Sequence, residues 1–149
     1  MTGVAYEYKI VRQVEFSDTD MAGIMHFSNF FRFMETAEHG FYRSLGFSVV
    51  MLETEPRLGW PRVHAACDYR KPLRFDDLVE IHLLVSAKKS KSLSYLFRFH
   101  KLGEKPEPVA VGALTIVCVV HGPDGTMSAT PIPAAIADKI QVAPAKLLE

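Results

Sequence analysis

Apolar and polar positions change period twice along this chain. Residues 5–16, AYEYKIVRQVEF, alternate: Tyr6, Tyr8 and Ile10 stand against Glu7 and Lys9, then Val14 and Phe16 against Gln13 and Glu15. That is a strand with a shift of phase near Val11 and Arg12. Residues 17–26 are irregular and hold the turn formers Ser17, Asp18, Asp20 and Gly23. From 27 to 46 the period becomes helical, with Phe27, Phe30, Phe31, Met34, Ala37, Phe41 and Leu45 on one face. Ser28 and Asn29 read as cap residues and Gly46 as the stop. Gly40, inside the helix, predicts the close approach of another backbone.

A short helix is expected in 47–58, ended by Pro56. Beyond Gly59 the strand period returns. Residues 60–72, 77–87, 92–102 and 108–121 each read as strands, separated by turn residues at hairpin spacing. Val79, Ile81, Leu83 and Val85 take every second place, as do Tyr95, Phe97 and Phe99. The run 109–120, VAVGALTIVCVV, is apolar enough for a strand buried on both faces. A second short helix is expected at 131–140, after Pro131 and Pro133. The order predicts an α+β fold, one long central helix packed on an antiparallel sheet of about five strands. A sheet covered by one helix leaves edges that favour a symmetric partner.

The loop between the first strand and the helix carries the sequence's sharpest chemical question. In FSDTDMAGIMHFSNFF, residues 16–31, two aspartates stand one residue apart. They read as oxygen ligands for a divalent metal, as turn formers that bond free backbone N–H groups, or as a catalytic carboxylate. The metal reading includes an aspartate-dependent phosphatase, which needs a parallel sheet and further acidic residues downstream; the run of successive strands opposes it. For the catalytic reading, the free N–H groups at a helix start can polarise a bound carbonyl, which Asp20 or a water it activates would attack.

Composition narrows the classes. The chain has 149 residues, 48% of them hydrophobic, and predicts one domain over residues 1–149. Lys and Arg total 17, as do Asp and Glu, so no basic surface for nucleic acid is expected. Cys67 and Cys118 lie in apolar settings and read as buried reduced thiols. The N-terminal run MTGVAYEYKIVRQ has no continuous apolar core, and the helix at 27–46 carries Arg32, Glu35, Glu38, His39 and Arg43. No leader and no membrane span are predicted, and the expected location is the cytoplasm.

The stretch DTDMAGIMHFSNFFRFMETAE resembles the signature of the hotdog-fold acyl-CoA thioesterases of the 4-hydroxybenzoyl-CoA thioesterase type, in its spacing of aspartates, Gly23, Asn29 and aromatics. Downstream, PRVHAACDYRKPLRFDDLVEI is similar to two further strands of that family, joined at its Pro…Asp-Asp turn. The resemblance covers most of residues 6–120. It implies a hotdog fold and hydrolysis of an acyl- or aroyl-CoA to CoA and a carboxylic acid, with no cofactor and no metal. Asp20 takes the place of the catalytic carboxylate, and Asp18 that of a loop organiser. The Phe27 amide takes the place of the N–H that binds the thioester carbonyl. The site is implied to lie at a homodimer interface, within a dimer or tetramer.

Some relatives, among them the thioesterase of the Tol–Pal envelope system, carry histidine where this chain has Phe27. Here His26 stands one residue earlier, as a catalytic candidate approaching from another direction. Lys89 and Lys91, in the turn KKSKS, fall where relatives bind CoA phosphates, and read otherwise as a solvated hairpin tip. Trp60 lies near the implied acyl pocket or in ordinary packing. Glu35, at the edge of the apolar stripe, is a candidate reader of a polar substrate group or a partner in a salt bridge at the interface. Glu38 lies within that stripe and must be paired or neutral if buried. The alternative in another class is a hotdog module that binds acyl-CoA or acyl-carrier protein without turnover.

Overall fold

The computed structural model describes residues 4–51 and 54–149. Its elements run β1 (Glu7–Gln13), α1 (Asn29–Ser44), β2 (Leu58–Gly59), β3 (Arg62–Tyr69), β4 (Leu78–Lys88), β5 (Ser92–Lys101), β6 (Glu107–Val117), β7 (Val119–His121), β8 (Met127–Ala129) and α2 (Ala134–Ala137). The main sheet is antiparallel, in the order β1-β4-β5-β6-β3; β2, β7 and β8 form a smaller one. One long helix on a five-stranded antiparallel sheet is the α+β arrangement that the periods predict. It is not the parallel frame that an aspartate phosphatase needs.

The helix lies on the sheet through Phe30, Phe33, Met34, Ala37 and Phe41, all buried. They meet Ile81, Leu83, Tyr95, Phe97 and Phe99 from alternate positions of β4 and β5. Phe30 sets its ring edge-on to Phe99 at 5.3 Å, and Phe41 does the same to Tyr95 at 6.2 Å. Burying each such side chain contributes about 1.5–3 kcal/mol. Gly112 on β6 gives the helix room, because a Cβ there would stand 2.0 Å from Cε of Met34.

Several sequence expectations change. Phe27 precedes the helix and is 62% exposed, so it is not part of the buried stripe. Gly40 meets the ring of Tyr8, not a backbone. Among the described residues of 47–58 there is no helix: Gly46 turns the chain at φ +91°, and Met51 bridges to Leu58. Leu52 and Glu53, within that expectation, lie outside the described residues. The apolar run 109–120 is split, with β6 ending at Val117 and β7 joining the smaller sheet. Along β6, Val111, Ala113, Thr115 and Val117 are only half-buried, so its outer face is not covered like its inner one. The C-terminal helix shrinks to Ala134–Ala137. Cys118 is buried, whereas Cys67 is half-buried on the edge strand.

β3 and β4 do not pair. β3 pairs with β6 at one edge of the sheet, and β4 lies between β1 and β5. The segment 70–77 therefore crosses from the edge strand back toward β1. Along the way it is clipped to the aspartate loop: Met25 N donates to Leu73 O at 2.7 Å, Val14 N to Asp77 O at 2.8 Å, and Asp76 N to Val14 O at 2.9 Å.

Candidate active site

The loop that carries the two aspartates is built by short-range bonds. Asp18 Oδ2 accepts the amide of Glu15 at 2.9 Å, and its main-chain oxygen accepts the amide of His26 at 2.9 Å. Asn29 Nδ2 donates to the same oxygen at 2.8 Å. Asp18 thus organises the loop. Asp20 sits on a tight turn, in which Gly23 N donates to Asp20 O at 2.9 Å with Gly23 at φ +81°. That φ favours glycine and explains its place three residues after the aspartate. Asp20 Oδ1 accepts the amide of Ala22 at 2.8 Å; its other oxygen has no hydrogen bond to the described residues. The carboxylate is oriented by one bond and remains exposed.

At the start of α1, the backbone amides are occupied in a selective way. Ser28 N donates to His26 Nδ1 at 3.2 Å, Asn29 N to His26 O at 3.0 Å, and Phe30 N to Phe27 O at 3.4 Å. The Phe27 N–H has no acceptor among the described residues. It is left as the open donor, with the helix dipole behind it. His26 serves here as the cap that the sequence assigns to Ser28. Its Nδ1 lies 2.7 Å from Ser28 Oγ, and its ring stacks on Phe27 at 4.5 Å. An Nδ1 that accepts an amide proton places the imidazole's own proton on Nε2.

Asp20 and Phe27 line one cleft of about 440 Å³. Phe30, Tyr69 and Pro72 supply apolar wall; Arg70 and Lys71 supply cations at the end of β3. Tyr69 Oη donates to Phe27 O at 2.9 Å, and its ring stands edge-on to Phe27 at 6.5 Å and to Phe30 at 5.0 Å. Lys71 pairs with Glu107 on β6, which holds that carboxyl below its usual range. An oriented carboxylate, an open helix-start amide and an apolar cleft between them suit attack on a polarised carbonyl.

The other sequence candidates fall elsewhere in this chain. Lys89 and Lys91 are exposed at the β4–β5 tip. Their neighbour Lys88 donates to the carbonyls of Ala137 and Ile140 at 2.6 and 2.8 Å, tying the tip to the end of α2. Trp60 is buried and packs edge-on against Tyr42 at 5.7 Å. Glu35 lies exposed on α1, 3.4 Å from Arg62. Glu38 is fully buried and paired with Arg62 at the start of β3, which also donates to Trp60 O at 3.1 Å. Burial raises the Glu38 carboxyl above its usual range, against the opposing pull of Arg62. None of these side chains lines the Asp20 cleft. Among the described residues, no group of three or more His, Cys, Asp or Glu is placed to hold a metal ion. No described helix is long and apolar enough to cross a membrane.

Sequence reasoning missed Tyr69, Arg70 and Lys71 as parts of this cleft. They were visible only as the end of a predicted strand, with nothing local to tie them to Asp20. An aromatic followed by two cations and a proline, Tyr69 to Pro72, is the available signal.

Residues 14–140 match the thioesterase-like superfamily. A protein of Aquifex aeolicus (strain VF5), named no further than an esterase, is 43% identical over 72 residues, 48% of this chain and 56% of its own length. A 1,4-dihydroxy-2-naphthoyl-CoA hydrolase of Parasynechococcus marenigrum (strain WH8102) is 30% identical over 90 residues, 56% of this chain and 59% of its own. The matches thus span little more than half the length of these curated relatives. Among solved structures, a gentisyl-coenzyme A thioesterase is 31% identical, with a TM-score of 0.74 over 86% of this chain and 98% of that one. The 4-hydroxybenzoyl-CoA thioesterase of Pseudomonas sp. strain CBS-3 shares the fold at 19% identity, with a TM-score of 0.78 over 89% and 98%.

Proposed function

This chain belongs to the thioesterase-like superfamily and has the hotdog fold, and from that premise we propose that it hydrolyses an acyl- or aroyl-CoA thioester. One observation supports the reading: Asp20 and Phe27, whose amide has no acceptor among the described residues, line the same cleft at the start of α1. The Phe27 N–H binds the thioester oxygen and stabilises the negative charge that develops on it. Asp20 attacks the carbonyl carbon itself or takes a proton from the water that does. The carbon–sulfur bond breaks, the CoA sulfur leaves with a proton, and water supplies the second oxygen of the acid. His26 holds the helix start open for this step through its bond to Ser28. The aromatic wall of Phe27, Phe30 and Tyr69 suits a flat or extended apolar acyl group. The relatives named for naphthoyl- and gentisyl-CoA support an aromatic one.

The working unit of this reading is a homodimer or a higher homo-oligomer. Among the described residues β3 pairs on one side only, and Val63 on it is 61% exposed. A second copy across that edge would cover both, and this chain's Lys89, Lys91 and Glu35 would serve the second copy's cleft, the lysines toward CoA phosphates and Glu35 toward the acyl group. The two free thiols suit a reducing compartment, which favours the cytoplasm.

The test is release of free thiol from a panel of acyl- and aroyl-CoAs, alongside Asp20→Asn. Turnover by the wild type and a loss of at least about two orders of magnitude in the variant are expected. Equal rates would make the aspartate loop structural. CoA binding without any turnover would favour a binding module.

A further inference from the structure

We propose that Tyr69, at the end of the edge strand β3, is a positioning residue that holds the Phe27 amide in its productive direction. The proposal rests on hydrolysis at Asp20 and adds to it the device that aims the carbonyl-binding donor.

Phe27 lies outside the helix and its side chain is 62% exposed, so packing alone does not hold it. Its carbonyl accepts only a long bond within the helix, from Phe30 N at 3.4 Å. The Tyr69 hydroxyl gives that carbonyl a shorter bond, at 2.9 Å. Fixing the carbonyl fixes ψ of Phe27 and the direction of the turn into α1. On the other side, the His26 ring accepts Ser28 N and stacks on Phe27. Between these two restraints the Phe27 N–H is the amide left free. The Tyr69 ring adds a wall, edge-on to both Phe27 and Phe30. Desolvation, with Cys67 beside it, pushes the Tyr69 hydroxyl up to about 12, so it keeps its proton and donates throughout the neutral range.

The bond spans 42 positions of sequence, from the strand that ends the sheet to the loop that carries Asp20. It therefore couples the state of the β3 edge to the aim of the helix start. A misplacement of about 1 Å at a reacting centre can cost up to two orders of magnitude in rate, so loss of one orienting bond can be read in kcat.

Tyr69→Phe keeps the ring and removes the hydroxyl. With an aroyl-CoA that the wild type hydrolyses, kcat is expected to fall roughly tenfold with KM within about twofold, because the wall that binds the acyl group remains. Hydrogen exchange at the Asn29 and Phe30 amides is expected to quicken in the variant, while the melting temperature stays within about 2 °C. Unchanged exchange at these amides overturns the proposal, whether or not the protein turns over any thioester. So does an unchanged kcat, or a rise in KM at constant kcat, which would make Tyr69 a binding wall only. Failure of the hydrolysis reading shows separately, as Asp20→Asn matching the wild type while Tyr69→Phe still quickens exchange.

Discussion

Asn29 Nδ2 donates to the main-chain oxygen of Asp18 at 2.8 Å, so the first residue of α1 holds the loop on which Asp20 is mounted. The same oxygen takes the His26 amide at 2.9 Å, and the two bonds close the loop against the helix start. Asn29→Ala removes one of them. The expected stability loss is about 1 kcal/mol, from denaturant unfolding. Hydrolysis is expected to fall by more than that stability loss explains, at substrate saturation and well below the melting temperature. Full activity in the variant would show that the loop needs no tether from the helix.

Tyr8 on β1 lies over Gly40 of α1, and a Cβ at Gly40 would stand 2.6 Å from its Cε2. Gly40→Ala brings a better helix former, worth about 1 kcal/mol, but forces the ring to move. A net destabilisation of roughly 1 kcal/mol is expected with Tyr8 present. With Tyr8→Ala in the background, the same change should become stabilising, because only the propensity gain remains. A double-mutant cycle in urea measures the coupling, and additive effects would mean that the ring yields freely.

Glu38 makes a prediction about pH. Its burial raises the carboxyl above the ordinary value of 4.5, and Arg62 and its hydrogen bond only partly offset this. The native chain therefore holds that proton at a pH where the unfolded chain has released it. A native state that binds more protons loses stability as pH rises. From the ordinary carboxylate range upward, the wild type should lose stability relative to Glu38→Gln, whose side chain does not titrate. Melting temperatures of both proteins across this range give the gap. A constant gap would mean that Glu38 is ionised throughout.

Hydrolysis through Asp20 and a backbone amide predicts that EDTA leaves the rate unchanged. The thiol-release assay with and without chelator decides this, and a rate restored only by added divalent metal would revive the metal reading of the two aspartates.

The one-sided pairing of β3 predicts that the protein does not stay single in solution. Light scattering should give a multiple of the 16.7 kDa chain mass. A stable monomer that hydrolyses substrate would remove the second copy from the mechanism.

Local pattern in the chain is enough to mark most elements and the loop that carries the two aspartates. Periods of two and of about 3.6 residues showed four of the five main strands to within a few positions and α1 to within two. The turn at Asp20 and the helix start near Phe27 are local features seven residues apart, while the pairing of that carboxylate with that amide is what the resemblance to the thioesterase family implies. Backbone dihedrals and short-range hydrogen bonds act over that distance. The remainder depends on contacts between distant segments. A period shows which face of a strand is buried, but not which strand lies beside it. So the crossing from β3 to β4 and the split of the last apolar run appeared only in the fold. Phe27 carries the helical spacing of a core residue, yet it falls before the first helical turn and is left in solvent. Glu38 puts a carboxyl group in an apolar stripe, and only the fold brings Arg62 to it from the start of β3. Tyr69 stands at the end of a strand 42 positions from the residue it holds. Contacts of that kind are chosen by close packing of distant segments, and no stretch of sequence short enough to be read by its own pattern contains both partners.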